Sequence, residues 1–227
     1  MAAVVAFDVN ETLLDLRALD GAFEEMFGSA AVRGQWFAQM LQLSFVGGLT
    51  GQYVDFSTAQ QAALRMVAER AGRPVTTREV DDILGRMSAL PPHPEVPAAL
   101  EALRAAPLKV VALTNSLQDV AEAQLRNAGI AEYFDEIMSA DTVKRLKPAP
   151  EPYHAVARAF DVEPADVRLV AAHSWDISGA LAAGCQAAFV ARPGVVLSPI
   201  GDRPDIVEQD IAGVVRRILA VDLPPDR

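Results

Sequence analysis

The apolar run Val4-Val5-Ala6-Phe7 ends in a carboxylate, Asp8, and the polar string Asn10-Glu11-Thr12 follows. An aspartate that closes a buried parallel strand faces the crevice where open α/β sheets bind their ligands. There it can serve as a nucleophile, a base or a metal ligand. Taken alone it can equally cap the turn. Three more polar clusters stand at or just after strand-like runs: Thr114-Asn115-Ser116, Lys144 to Lys147, and His173 to Asp176. Each has a plain structural use as well. Thr114 or Ser116 can cap the helix around Gln118, and Asp176 can cap the helix that runs to Ala183. A lysine is usually solvated. His173 can activate water, because imidazole titrates near neutrality, or can simply be structural. His93 and His154 show no ligand spacing with each other or with His173, so no metal site is expected.

These residues need strands to hold them. Leu108 to Leu113, Phe134 to Met138, Val167 to Ala172 and Gln186 to Val190 read as strands. Between them, helical patterns end at Gly129, cover Pro152 to Phe160, run from Asp176 to Ala183, and close the chain over Ile211 to Leu219. Alternation of this kind predicts a doubly wound, Rossmann-like parallel sheet. The stretch from Leu16 to Ser88 differs. It carries helical patterns, among them Trp36-Met40-Leu41-Leu43-Phe45 and Ala59-Ala62-Leu64-Val67, before Pro91-Pro92 breaks the chain. The expected organisation is a core of residues 1–15 and 92–227 and an all-helical cap of residues 16–91, inserted after the first strand.

Composition narrows the function classes. The chain has 227 residues, 51% of them hydrophobic and 22% charged, which suits a folded α/β domain rather than disorder. A net charge of -10 opposes binding to nucleic acid or to anionic membranes, and it obliges an anionic substrate to find a local positive device. No apolar run is long enough to span a membrane. Cys185 is the only cysteine, so a reducing, cytoplasmic setting is the default expectation. The amino terminus reads as a first strand and not as a signal peptide.

Asp8-Val9-Asn10-Glu11-Thr12-Leu13, Leu113-Thr114-Asn115, Lys147-Pro148 and Ser174-Trp175-Asp176 occur in that order. The sequence resembles the haloacid dehalogenase superfamily over nearly the whole chain, most of all its type II branch, the (S)-2-haloacid dehalogenases. The resemblance implies that Asp8 is a nucleophile and that Lys147 is a buried ammonium beside it. Asp176 would pair with Lys147 and help activate water. Thr114 would hold the nucleophile or the substrate carboxylate, and Asn115 would cradle the departing halide. Tyr153 and Thr12 match residues of the family site. Trp175 and Phe56 match aromatic walls of the halogen pocket, and Asn10, Phe37 and Leu41 are further expected substrate contacts.

Several positions depart from the family pattern. Asn10 stands where phosphatase members carry an acid that protonates the leaving group, and an amide cannot do this. Ala172 replaces an acidic residue that helps hold magnesium in those members. Halide leaves as a stable anion and needs no proton. Both departures therefore favour a dehalogenase with no cofactor over a phosphatase of the same fold or a non-catalytic relative. Phe37 replaces the arginine that follows a tryptophan in typical dehalogenases. Ala171 and His173 replace a serine and an asparagine that orient water. The expected reaction is attack by Asp8 on the carbon bearing halogen, then hydrolysis of the ester at the Asp8 carbonyl. The expected partner is a small anionic substrate, and the hydrophobic cap suggests a homodimer.

Overall fold

The computed structural model describes residues 1–223. Among these, six parallel strands form one sheet: β1 (Val4–Phe7), β2 (Lys109–Thr114), β3 (Glu136–Ser139), β4 (Val167–Ala171), β5 (Gln186–Val190) and β6 (Ile206–Glu208). Their order is β3-β2-β1-β4-β5-β6. All four residues of β1 are buried. The period of two sends Val5 and Phe7 into one apolar layer and Val4 and Ala6 into the other, so both faces of the sheet are covered. The chain builds outward from β1 to β3 and then crosses back to place β4 on the other side of β1. That reversal opens a crevice between the carboxyl ends of β1 and β4. Asp8 follows one of these strands and His173 the other.

Helices pack on both faces: α5 (Val96–Arg104), α6 (Gln118–Asn127), α7 (Pro150–Ala159), α8 (Ser174–Ala182) and α9 (Ile211–Asp222). The helical insert holds α1 (Asp20–Phe27), α2 (Val32–Thr50), α3 (Phe56–Arg70) and α4 (Thr77–Met87). Its centre is Trp36, fully buried, tilted against Phe23 at 5.3 Å and donating Nε1 to the Gln60 carbonyl at 3.0 Å. The outgoing and returning chains of the insert are stitched together. Asp15 N donates to the Pro91 carbonyl and His93 N to the Leu13 carbonyl, both at 2.9 Å.

The expected doubly wound sheet with an all-helical insert is the observed fold. Several boundaries move. Strand β3 starts at Glu136 and not Phe134, because Ala131–Tyr133 forms a 3-10 turn first. Helix α7 starts at Pro150, whose fixed φ suits a first helical position. Helix α8 starts at Ser174, after an extended His173, so Asp176 lies inside the first turn and is not the cap. The cap position of α6 is Leu117, not Thr114 or Ser116. Helix α5 and the short edge strand β6 were not foreseen.

Candidate active site

Asp8 is 5% exposed, and its two oxygens are held differently. Oδ2 accepts from Thr12 Oγ1 at 2.7 Å and from His173 Nδ1 at 3.1 Å. Oδ1 accepts from Lys147 Nζ at 3.0 Å. Because an ionised carboxylate only accepts, the contact places a His173 proton on Nδ1, and in the neutral ring Nε2 is then the acceptor. Lys147 is wholly buried. Its three donors go to Asp8 Oδ1, to Asp176 Oδ2 at 2.6 Å and to the Leu113 carbonyl at 2.8 Å. Asp176 is equally buried, and its other oxygen accepts from the Tyr153 hydroxyl at 2.5 Å. Tyr153 reaches it because Gly179 carries no side chain. A Cβ there would lie 2.6 Å from the Tyr153 hydroxyl.

Burial would raise the Asp8 carboxyl, but the Lys147 ammonium and the His173 and Thr12 hydrogen bonds outweigh it and hold its pKa far below the ordinary carboxylate value. Burial would also strip the Lys147 proton, yet Asp176 and Asp8 together hold its pKa above the usual lysine value. Asp176 goes the other way. Burial and the nearby Asp8 charge raise it, against the pull of Lys147. Asp8 is thus the anion that this arrangement favours.

The scaffold fixes these groups from behind. The Ala172 amide donates to Thr12 Oγ1 at 2.9 Å, while Arg192 Nη2 and His93 Nε2 meet the Thr12 and Glu11 carbonyls at 2.7 and 3.0 Å. Glu11 takes a left-handed φ of 66° inside this clamp. The Asn115 amide is spent on the backbone of Lys147, accepting its N–H at 2.8 Å and donating to its carbonyl at 3.2 Å. Asn10 accepts from Gln124 Nε2 at 3.1 Å and lies 3.4 Å from Ser116 Oγ. Gln124 and Arg192 were absent from the expected set. Gln124 carried no sequence signal, but Arg192 follows β5 and the strand-end rule could have found it.

A void of about 10 Å³, room for roughly one water, lies over Asp8 and is lined by Asn10, Phe37, Phe56, Thr114, Asn115, His173 and Trp175. The His173 ring is stacked between Phe37 and Trp175, with centroids 5.3 Å away on each side and interplanar angles of 17° and 25°. The Trp175 indole N–H is buried and has no hydrogen-bond partner among the described residues. The remaining expected contacts stand elsewhere. Tyr153 lies behind Asp176 and does not line the void. Thr12 meets Asp8 directly, its hydroxyl donating to Oδ2 and accepting from the Ala172 amide, and does not line the void. Leu41, one turn after Phe37 on the same face of α2, packs in the apolar core and does not line the void. Thr114 lines the void, but its hydroxyl accepts from Ser116 N at 3.1 Å and makes no bond to Asp8.

Magnesium, which phosphatases of this fold use, wants several hard oxygen ligands. Here the two carboxylates are bridged by an ammonium, and Ala172 brings no third. No group of three candidate ligand side chains forms among the described residues. The donor set does not fit such an ion. Among the described residues, no helix is long and apolar enough to cross a membrane.

Comparison with known proteins agrees with this geometry. A family model for haloacid dehalogenase-like hydrolases matches residues 2–184. An (S)-2-haloacid dehalogenase of Pseudomonas sp. (strain YL) is 27% identical over 93% of this chain and 92% of its own length. One of Xanthobacter autotrophicus is 30% identical over 85% of this chain and 76% of its own length. The structure of the L-2-haloacid dehalogenase from Xanthobacter autotrophicus with chloropropionic acid covalently bound superposes with a TM-score of 0.90 at 25% identity, covering 97% of this chain and 100% of that one. By sequence and by fold the chain belongs to the haloacid dehalogenase-like hydrolases.

Proposed function

We propose that the protein hydrolyses short 2-haloalkanoic acids to 2-hydroxyacids and halide through an ester on Asp8. One observation carries the reading. Asp8 is an ionised carboxylate that lines a void, with a single donor on Oδ1 and two donors on Oδ2. The named relatives, which include a structure with chloropropionic acid covalently bound, support it.

In the first step Oδ1 attacks C2 of the substrate, and the halide departs with the bonding pair. Lys147 and its partner Asp176 keep Asp8 charged and aligned for this displacement. The Trp175 indole N–H and the unused N–H of Asn115 are the donors left to meet the halide. In the second step water attacks the carbonyl carbon of Asp8. The growing oxyanion on Oδ2 then sits against the Thr12 hydroxyl and His173 Nδ1. His173 Nε2 takes the proton from water, because both Asp176 oxygens are engaged by Lys147 and Tyr153. Collapse expels the alkoxide, which takes back the proton held by His173 and leaves as the 2-hydroxyacid, while the new Asp8 carboxyl loses its own proton to solvent and returns as the carboxylate. Phe37 and Trp175 hold the imidazole in plane for this exchange. The substrate exceeds the void, so binding requires the insert to shift or the aromatic lining to part.

A phosphatase reading lacks its chemistry. The Asn10 amide is tied to Gln124 and cannot protonate a leaving alkoxide. We further propose residues 16–91 as the cap that closes over the substrate, acting on a core of residues 1–15 and 92–227.

A single turnover of 2-chloropropionate in heavy-oxygen water tests the mechanism. Label is expected on Asp8 and not in the first product. Label found directly in the product would rule out the ester. Halide release is expected to persist in EDTA.

A further inference from the structure

A second, larger cavity of about 520 Å³ lies on the seam between the insert and the core. That is a volume typical of small-molecule sites. Phe45, Leu49, Val54, Leu146 and Pro148 supply apolar walls. Lys144 and Arg145 stand at its edge, but each already has an acid: Lys144 pairs with Asp141 at 2.7 Å and Arg145 with Glu151 at 3.2 Å. What remains for an occupant is hydrocarbon surface. Two residues connect this chamber to the reaction centre. Lys147 borders it and bonds Asp8. Phe45 borders it and meets Trp175 edge-on at 5.5 Å, and Trp175 lines the void over Asp8. The Phe45–Trp175 pair is therefore the partition between the two spaces.

We propose that this chamber is a chain subsite, which takes the alkyl tail of longer 2-haloacids once the Phe45–Trp175 pair parts. The proposal rests on the dehalogenase reading and extends its substrate class. The C2 carbon and carboxylate stay over Asp8. The tail passes the partition and exchanges water for the apolar walls. Burial of each methylene is worth roughly fourfold in kcat/KM.

The test is the ratio of kcat/KM for 2-bromohexanoate to that for 2-bromopropionate, each measured on the same enzyme sample. The ratio cancels any loss of folded protein. Gly48 borders the chamber, and a Cβ built there meets nothing within 4 Å, so Gly48→Leu fills space without a clash at its root. It is expected to lower the ratio at least about tenfold, as the tail loses most of its roughly fourfold per methylene. Leu49 is 88% exposed, and Leu49→Asp places a charge on the chamber wall with no demand on the core; the ratio should again fall. Phe45→Ala removes the partition and should raise it several-fold. Ratios that match the unaltered protein in all three variants overturn the subsite while leaving dehalogenation intact. So does a failure of Phe45→Ala to turn over 2-bromohexanoate when the unaltered protein cannot. Absence of halide release from 2-bromopropionate in the unaltered protein sinks the dehalogenase reading itself and the subsite with it.

Discussion

Two buried cations sit at opposite ends of the same sheet, each between two acids. At the carboxyl end, Lys147 joins Asp8 and Asp176. At the amino end, Arg168 joins Asp222 and Asp205. The second cluster is saturated. The guanidinium fork meets Asp222 through Nε at 2.8 Å and Nη2 at 3.2 Å, reaches Asp205 with both terminal nitrogens, and also bonds Gln186. Asp222 Oδ1 further accepts from the Ala2 amide at 2.9 Å, which ties the first strand to the last helix. The first cluster leaves Asp8 Oδ1 with one donor, and Asp8 itself lines a void. A planar, fully matched arginine staples the fold. A lysine, which acts as a point charge, holds an anion in place and leaves it able to react.

Exchange of the acids should separate these roles, and the largest effect belongs to Asp8. Asp8→Asn removes the nucleophile, so halide release should fall by about 10⁴ or more. It also removes a carboxylate whose depressed pKa stabilises the fold at neutral pH and leaves Lys147 paired with Asp176 alone, so the melting temperature should fall modestly as well. Asp222→Ala should lower stability and spare the chemistry. A buried cation that loses a partner costs about 3 kcal/mol, read as a lower denaturation midpoint, with kcat/KM close to unaltered. If Asp222→Ala abolished activity in protein that remains folded, the two ends of the sheet would not be separable.

The same contrast shows what the sequence could and could not disclose. Asp8, Lys147 and Asp176 stood out as candidates because each lies at or after the end of an apolar run, and a parallel sheet gathers such ends at one edge; their separate roles came from the family resemblance. The Arg168 cluster was not legible. Arg168 lies inside an apolar strand, and its partners are 37 and 54 residues away, with nothing local to mark them. Helix α5 was lost beside a proline-rich break, and Pro97 near its start reads as a breaker unless the helix is already known. Strand β6 has only three residues, too few to show a period. The resemblance offered Tyr153 and Leu41 as substrate contacts, but the Tyr153 hydroxyl is taken by Asp176, and Leu41, on the same face of α2 as Phe37, packs into the apolar core, a packing outcome that no local pattern specifies. The stacking of His173 between Phe37 and Trp175 depends on the insert meeting the core, which no local pattern specifies.

Tyr153 sharpens the comparison at smaller scale. It donates to Asp176, which never touches the void. Tyr153→Phe removes that donor and leaves the ring. Asp176 then holds Lys147 less firmly, and Asp8 loses alignment. We expect kcat to fall about tenfold, the worth of a hydrogen bond to a charged group, with KM within about twofold. A change in KM alone would place Tyr153 against substrate after all.

The smallest effect concerns the acid limb of ester formation. The Asp8 carboxyl is held far below the ordinary carboxylate pKa, against its burial, by Lys147, His173 and Thr12. Only the carboxylate attacks, so the rate of ester formation governed by Asp8 should stay flat as pH falls towards the usual carboxylate value of about 4. Thr12→Val removes one of the two donors on Oδ2. A hydrogen bond to the charged form lowers a pKa, so its loss raises that pKa. The limb should move to higher pH by less than about one unit, the equivalent of about 1 kcal/mol. Stability follows the same sign. A depressed acid stabilises the fold above its unfolded pKa and loses that contribution as pH falls through the folded one. Thr12→Val should therefore narrow the window over which Asp8 stabilises the protein, while the rate of ester formation at pH 7 barely changes and ester hydrolysis, which loses one of its two oxyanion donors, slows. A limb that moved downward would show that Thr12 does not favour the charged form of Asp8.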